Sequence, residues 1–169
     1  MLKHVVLAKR NAQLGNRLTM HAHLLACCLE KGCNFVNPTL GEYGDFFVGT
    51  RGKLWAQNNT EPDRKPVPEW QHKLAYRCVR ILYQTTKISR VLPWSPVQSA
   101  KATRNPCGKG MWEFLEYLEQ RGGRVAFVST WNIRNYALCS KHAEAIRAIF
   151  NPLPDVRRNV QERIKALRS

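Results

Sequence analysis

A chain of 169 residues with 44% hydrophobic residues is long enough to bury a core and too apolar for wholesale disorder, so a single folded domain spanning 1–169 is expected. Lys and Arg number 27 against 12 Asp and Glu, a formal charge of +15, which implies attraction to something anionic: nucleic acid, an anionic membrane surface or a phosphorylated small molecule. No stretch approaches the roughly 18 apolar residues of a membrane span, and six cysteines without a secretory leader read as reduced thiols of a cytoplasmic protein.

The run His4-Val5-Val6-Leu7-Ala8 is apolar and β-branched and reads as a buried strand of a parallel sheet. Lys9 to Asn16 is a polar turn containing Gly15, with Asn16 as the expected helix cap. Leu18, Ala22, Leu25 and Leu29 then share a helix face, and Gly32 is a natural stop. Phe35-Val36 continues as a second strand, which completes a βαβ pattern. Tyr43, Phe46 and Phe47 suggest a short helical turn, and Gly49 to Lys53 a tight turn. Residues 57–69 carry Pro62, Pro66 and Pro68 without periodicity and read as a surface loop.

A helix is expected from Trp70, with Leu74, Cys78, Ile81 and Leu82 as its apolar face, then a strand at 87–92 and an irregular stretch at 93–108. Met111, Phe114, Leu115 and Leu118 predict another helix, stopped by Gly122-Gly123. Val125 to Val128 is the clearest later strand; Asn135 caps a helix whose face is Cys139, Ala143, Ile146 and Phe150. A last helix has Val156, Val160, Ile164 and Leu167 in register. The sum is a Rossmann-like three-layer α/β domain with a mostly parallel sheet. The chain stops on a periodic helix, where such a sheet ordinarily continues with a strand, so the domain is open to being incomplete.

Ligands of open α/β sheets bind beyond the carboxyl ends of the strands. The turn after the first strand therefore draws attention: free backbone N–H groups at the helix start, with Lys9, Arg10 and Arg17 adding positive charge, suit a phosphate. Neither G-x-G-x-x-G nor a Walker-type loop is present, and the same residues also make an ordinary capped turn. His21 and His23, with Cys27, Cys28 and Cys33, fall short of a closed zinc set, so no metal is expected; His21 is either a packing residue or a polar group near a ligand. The loop after the late strand offers Asn132, Arg134 and Asn135 to the same rim, with Arg134 suited to phosphate or facing solvent. Glu42 and Asp45, three apart, are the available carboxylate pair. A basic nucleic-acid-associated module remains the alternative, resting on net charge alone.

Leu14-Gly15-Asn16-Arg17-Leu18, His21 to Ala26 and Gly32 to Pro38 together resemble the start of fucosyltransferase-like glycosyltransferases. Glu42-Tyr43, Asp45-Phe46-Phe47 and Gly49-Thr50 look like the continuation in a bacterial subgroup, and Trp131, Arg134, His142, Ile146-Arg147 and Phe150 to Pro152 resemble the segment before the family's second domain. The resemblance implies the amino-terminal half of a GT-B-like enzyme with two facing Rossmann-like domains, a GDP-fucose donor, a glycan acceptor and no separate cofactor. It places Gly15 and Asn16 on the interdomain cleft and assigns no role to Arg134; Arg17, His21 and Arg134 stand as donor-binding candidates on the residue reading above. The family's His-x-Arg-Arg motif, which holds the donor phosphates, is not in these residues. A second half is thus an implied partner, and the chain alone is expected to be inactive or a remnant.

Overall fold

The structure is a computed structural model and describes residues 2–10, 13–55, 65–88, 97–100, 113, 115–116, 120, 124–129 and 134–168. Four parallel strands form one sheet: β1 (His4–Leu7), β2 (Asn34–Val36), β3 (Val97–Ala100) and β4 (Val125–Val128), in the order β2-β1-β4-β3. Val5 pairs with Phe35 on one side and Ala126 on the other, which puts β1 inside the sheet.

Handedness then sets which helix covers which face. The steps β1 to β2 and β3 to β4 run in the same direction across the sheet, so right-handed crossovers put their helices on one face. Helix α1 (Leu14–Lys31) makes the first step, and the second passes through helical residues including Leu115, which is buried in the same cluster as Met20, Leu24 and Leu25 of α1. The step β2 to β3 runs the opposite way, and its helix α2 (Glu69–Ile88) packs on the other face. The period-two alternation of strands is read directly in the core. Val5, Leu7, Ala126 and Val128 face α1, whereas Val6, Ala8 and Phe127 meet Val79 and Tyr83 of α2. Helices therefore flank a parallel sheet in a Rossmann-like arrangement.

Helix α1 starts one turn earlier than Asn16 would allow as its cap. Gln13 is the N-cap and makes no side-chain bond, so Asn16 lies inside the first turn. Gly32 ends the helix in the left-handed conformation (φ 65°), as its position predicts, with its N–H on the carbonyls of Cys28 and Leu29. Of the expected face, Leu25 is fully buried but Leu29 is exposed, and Met20, His21, Leu24, Cys27 and Cys28 extend the buried surface beyond it. A 3-10 helix, Gly41–Phe46, follows β2 where the aromatic cluster suggested a helical turn.

Helix α2 departs further. Ala75, Val79 and Tyr83 face the sheet, and the expected apolar face of Leu74, Cys78, Ile81 and Leu82 is turned to solvent. Small and mixed-polarity residues fit closely over the sheet; the larger aliphatics follow the stronger periodicity but not the docking face. Residues 87 and 88 belong to α2 rather than to a strand, and 89–92 lie outside the described residues. The strand sits instead at Val97–Ala100, within the stretch expected to be irregular. It occupies the sheet edge and directly follows Pro96 in the sequence. Of the loop expected at 57–69, residues 65–68 are non-helical, Glu69 opens α2, and 57–64 lie outside the described residues.

The helix expected after Asn135 is two: α3 (Tyr136–Lys141) and α4 (Ala143–Ile149), separated at His142. Asn135 caps α3 as predicted, its side-chain oxygen accepting from the Leu138 N–H at 3.0 Å. Helix α5 (Pro154–Ala166) opens with proline in its first turn and buries none of its residues, so Val160, Ile164 and Leu167 stay exposed. Among the described residues no helix is long and apolar enough to cross a membrane.

Candidate functional site

The carboxyl ends of β1 and β4, which lie side by side, open into a cavity of about 400 Å³, within the roughly 300–1,000 Å³ of small-molecule sites. Ala8, Lys9 and Arg10 from the end of β1, Ser129 from the end of β4, and Tyr76, Arg80, Tyr83 and Gln84 from α2 line it. Three of these side chains are cationic and none is acidic. Two bonds hold the walls together. The Arg10 backbone N–H donates to the Tyr76 hydroxyl at 3.0 Å, and the Tyr83 and Ser129 hydroxyls share a hydrogen bond at 2.6 Å. The arrangement can accept an anionic group with an aromatic wall beside it.

Of the candidate residues read from the sequence, Lys9 and Arg10 line the cavity and the others fall elsewhere. Gly15 is exposed and Asn16 half-buried in the first turn of α1, following the carboxyl end of β1 as the cavity does; neither is among the cavity's lining residues. The Arg17 guanidinium reaches the Thr39 carbonyl at 3.4 Å and lies 5.5 Å from the Tyr43 ring centre, which docks it on the 3-10 helix.

His21 is fully buried, edge-on to Phe35 and Phe150. The Asn37 amide donates to its Nδ1 at 3.0 Å, while the Asn37 carbonyl oxygen accepts from Thr39. Burial lowers its pKa to about 3, so the ring is neutral and serves as a tie between α1 and the segment after β2.

Arg134 is half-buried just before the α3 cap. It lies near His23, whose pKa is lowered by burial first and by the Arg134 charge as well. His23 Nδ1 accepts from the Asn135 N–H at 2.9 Å, tying α1 to α3. The carboxylate pair is not available as such. Asp45 accepts from the Gly52 N–H at 2.8 Å and meets the buried His72 at 3.3 Å, which makes it a loop staple.

The five described cysteines are free thiols. Burial pushes Cys27 up to about 12, and the hydrogen bond that the Cys28 thiol makes with Cys33, together with burial, raises Cys28, so neither is a nucleophile near neutral pH. No group of three or more metal-ligating side chains is assembled among the described residues.

Tyr76, Arg80, Tyr83 and Gln84 escaped the sequence reading. They recur at spacings of three and four on α2, but as a polar-aromatic series beside a stronger aliphatic one. Lys9, Arg10 and Ser129 were legible as carboxyl-end loop residues. The chain matches no protein-family model, no curated protein and no solved structure.

Proposed function

We propose that this chain is a glycosyltransferase-related domain, the amino-terminal, three-layer half of a fucosyltransferase-like GT-B enzyme, with its rim cavity turned to the phosphates of a nucleotide sugar such as GDP-fucose. One observation supports this reading above the others. The cavity at the carboxyl ends of two adjacent parallel strands is cationic, aromatic-walled and free of carboxylates among its lining residues. The first turn of α1, with Gly15 and Asn16, follows the same end of β1 and supplies backbone N–H groups there.

In this reading an acceptor hydroxyl of a glycan attacks the anomeric carbon as the bond to the diphosphate breaks, and the nucleoside diphosphate leaves. Cations beside the departing phosphate stabilise charge that develops only in the transition state. The reading leaves the base that takes the acceptor's proton unassigned, and puts the His-x-Arg-Arg motif of the resembled family outside these residues.

Calorimetric titration with GDP-fucose and with a short single-stranded oligonucleotide, each at low and moderate salt, tests the reading. Saturable GDP-fucose binding with modest salt dependence is expected. Tighter oligonucleotide binding that collapses with salt would replace it with the nucleic-acid-associated module, since counterion release makes phosphate-backbone binding steeply salt-dependent. In the assembled enzyme, Asn16→Ala is expected to cut turnover with folding intact; unchanged turnover removes Asn16 from the site.

A further inference from the structure

We propose that Tyr76 holds Arg10 and Arg80 as a two-armed clamp for the diphosphate group of a nucleotide-type ligand. The proposal rests on reading the rim cavity as a phosphate site, but not on glycosyl transfer. Arg10 comes from the β1–α1 connection and Arg80 from α2, one turn beyond Tyr76. Their guanidinium carbons lie 4.7 Å and 6.0 Å from the centre of the same Tyr76 ring. The Tyr76 hydroxyl also receives the Arg10 backbone N–H, so the ring is fixed to the loop that it organises.

Two cations beside one ring repel each other, and no carboxylate among the lining residues offsets them. Arg10 carries a second unmet demand: its Nε and Nη2 are buried without a hydrogen-bond partner among the described residues. An unpartnered buried donor is costly, and more so when charged. A bound anion offsets the repulsion between the two guanidinium groups. Gly41 belongs to the same design, since a Cβ built on it would lie 2.7 Å from Arg10 Nη2.

Guanidinium forks bind phosphoryl oxygens in pairs. Two such forks anchored on one ring suit two linked phosphoryl groups better than one. Lys9 lines the same cavity, and the Tyr83–Ser129 bond braces its wall.

Inorganic pyrophosphate and orthophosphate, titrated separately into the intact chain, test the clamp. Pyrophosphate is expected to saturate and to bind more tightly than orthophosphate. Arg80→Ala should weaken it about tenfold or more, the loss of a charge-assisted contact. Arg80 is exposed, so this variant keeps the fold. Arg77→Ala removes the same charge from the same helix outside the cavity lining and should change binding less than about twofold. Tyr76→Leu, which removes no charge, should still weaken binding by spoiling the alignment of both arginines. Equal losses from Arg77→Ala and Arg80→Ala, equal affinity for the two anions, or no saturation would each overturn the clamp. GDP-fucose in competition separates the two ideas. Failure to displace pyrophosphate, with the Arg80 dependence intact, upholds the clamp and removes GDP-fucose as the ligand of this cavity in the isolated chain.

Discussion

On the α1 face, polar side chains tie the helix to two other segments, the stretch after β2 and α3 with its caps: His21 to Asn37, His23 to the Asn135 backbone, and Glu30 to Lys141 and His142. On the α2 face, the helix meets the sheet through Ala75, Val79 and Tyr83, while Trp70, Leu74, Ile81 and Leu82 point to solvent. Histidine and asparagine tie elements together on the first face; lysine, arginine and tyrosine side chains line a cavity on the second. Stability and binding capacity are thus divided between the two sides of one sheet. Regions with fewer buried contacts open more readily, which suits the side that carries the cavity.

The closed side is most sharply tested at Gly49. Its N–H donates to the Ile149 carbonyl at 3.0 Å, and a Cβ there would lie 2.4 Å from the Ile149 Cα. Because the clash is with backbone, the turn and α4 must separate. Gly49→Ala is expected to cost about 3 kcal/mol in urea unfolding, the upper end of overpacking penalties. A loss below about 1 kcal/mol would show that this side is loosely packed.

Acid provides the next test. His21 titrates near 3 when folded and near 6.5 when unfolded. Below pH 6.5 the unfolded chain therefore binds the extra proton, and stability falls as pH drops from 6.5 toward 3. The slope from this one group approaches about 1.4 kcal/mol per pH unit, so some 2 kcal/mol disappears between pH 6.5 and 5. His21→Gln should flatten the dependence of the unfolding midpoint on pH. A slope unchanged in that variant would place the acid sensitivity elsewhere.

These two tests bear on what a sequence can reveal. The strands β1, β2 and β4 and the caps Gly32 and Asn135 were legible, because burial periodicity and backbone chemistry are local. The edge strand Val97–Ala100 was hidden by Pro96 and by its own polar residues, since its pairing partner lies about 28 residues further along. The roles of His21 and Arg134 were not legible either. A histidine two turns into a helix looks the same whether it faces a ligand or Phe35 and Phe150; only the third dimension distinguishes them. The cavity joins residues from positions 8–10, 76–84 and 129, so its composition emerges only on folding.

Asn135→Ala is expected to cost about 1 kcal/mol, as loss of an N-cap does, measured by the thermal midpoint. The effect sharpens the contrast if it exceeds that of any outward change on α2.

The smallest effect is expected on α2 itself, where two neighbouring aliphatics should part company. Val79 is 4% exposed and packs on Val6 and Phe127; Ile81 is 63% exposed. Val79→Ala removes buried methyl groups and should lower stability by about 1–2 kcal/mol. Ile81→Ser removes more carbon but from a surface already in water, so its change should stay within about 0.5 kcal/mol. The periodicity of α2 predicts the reverse, because Ile81 belongs to the stronger apolar series. If Ile81→Ser proves the more damaging, the helix docks through that series in solution, Tyr76 and Arg80 turn away from the strand ends, and the cavity with its clamp cannot exist as described.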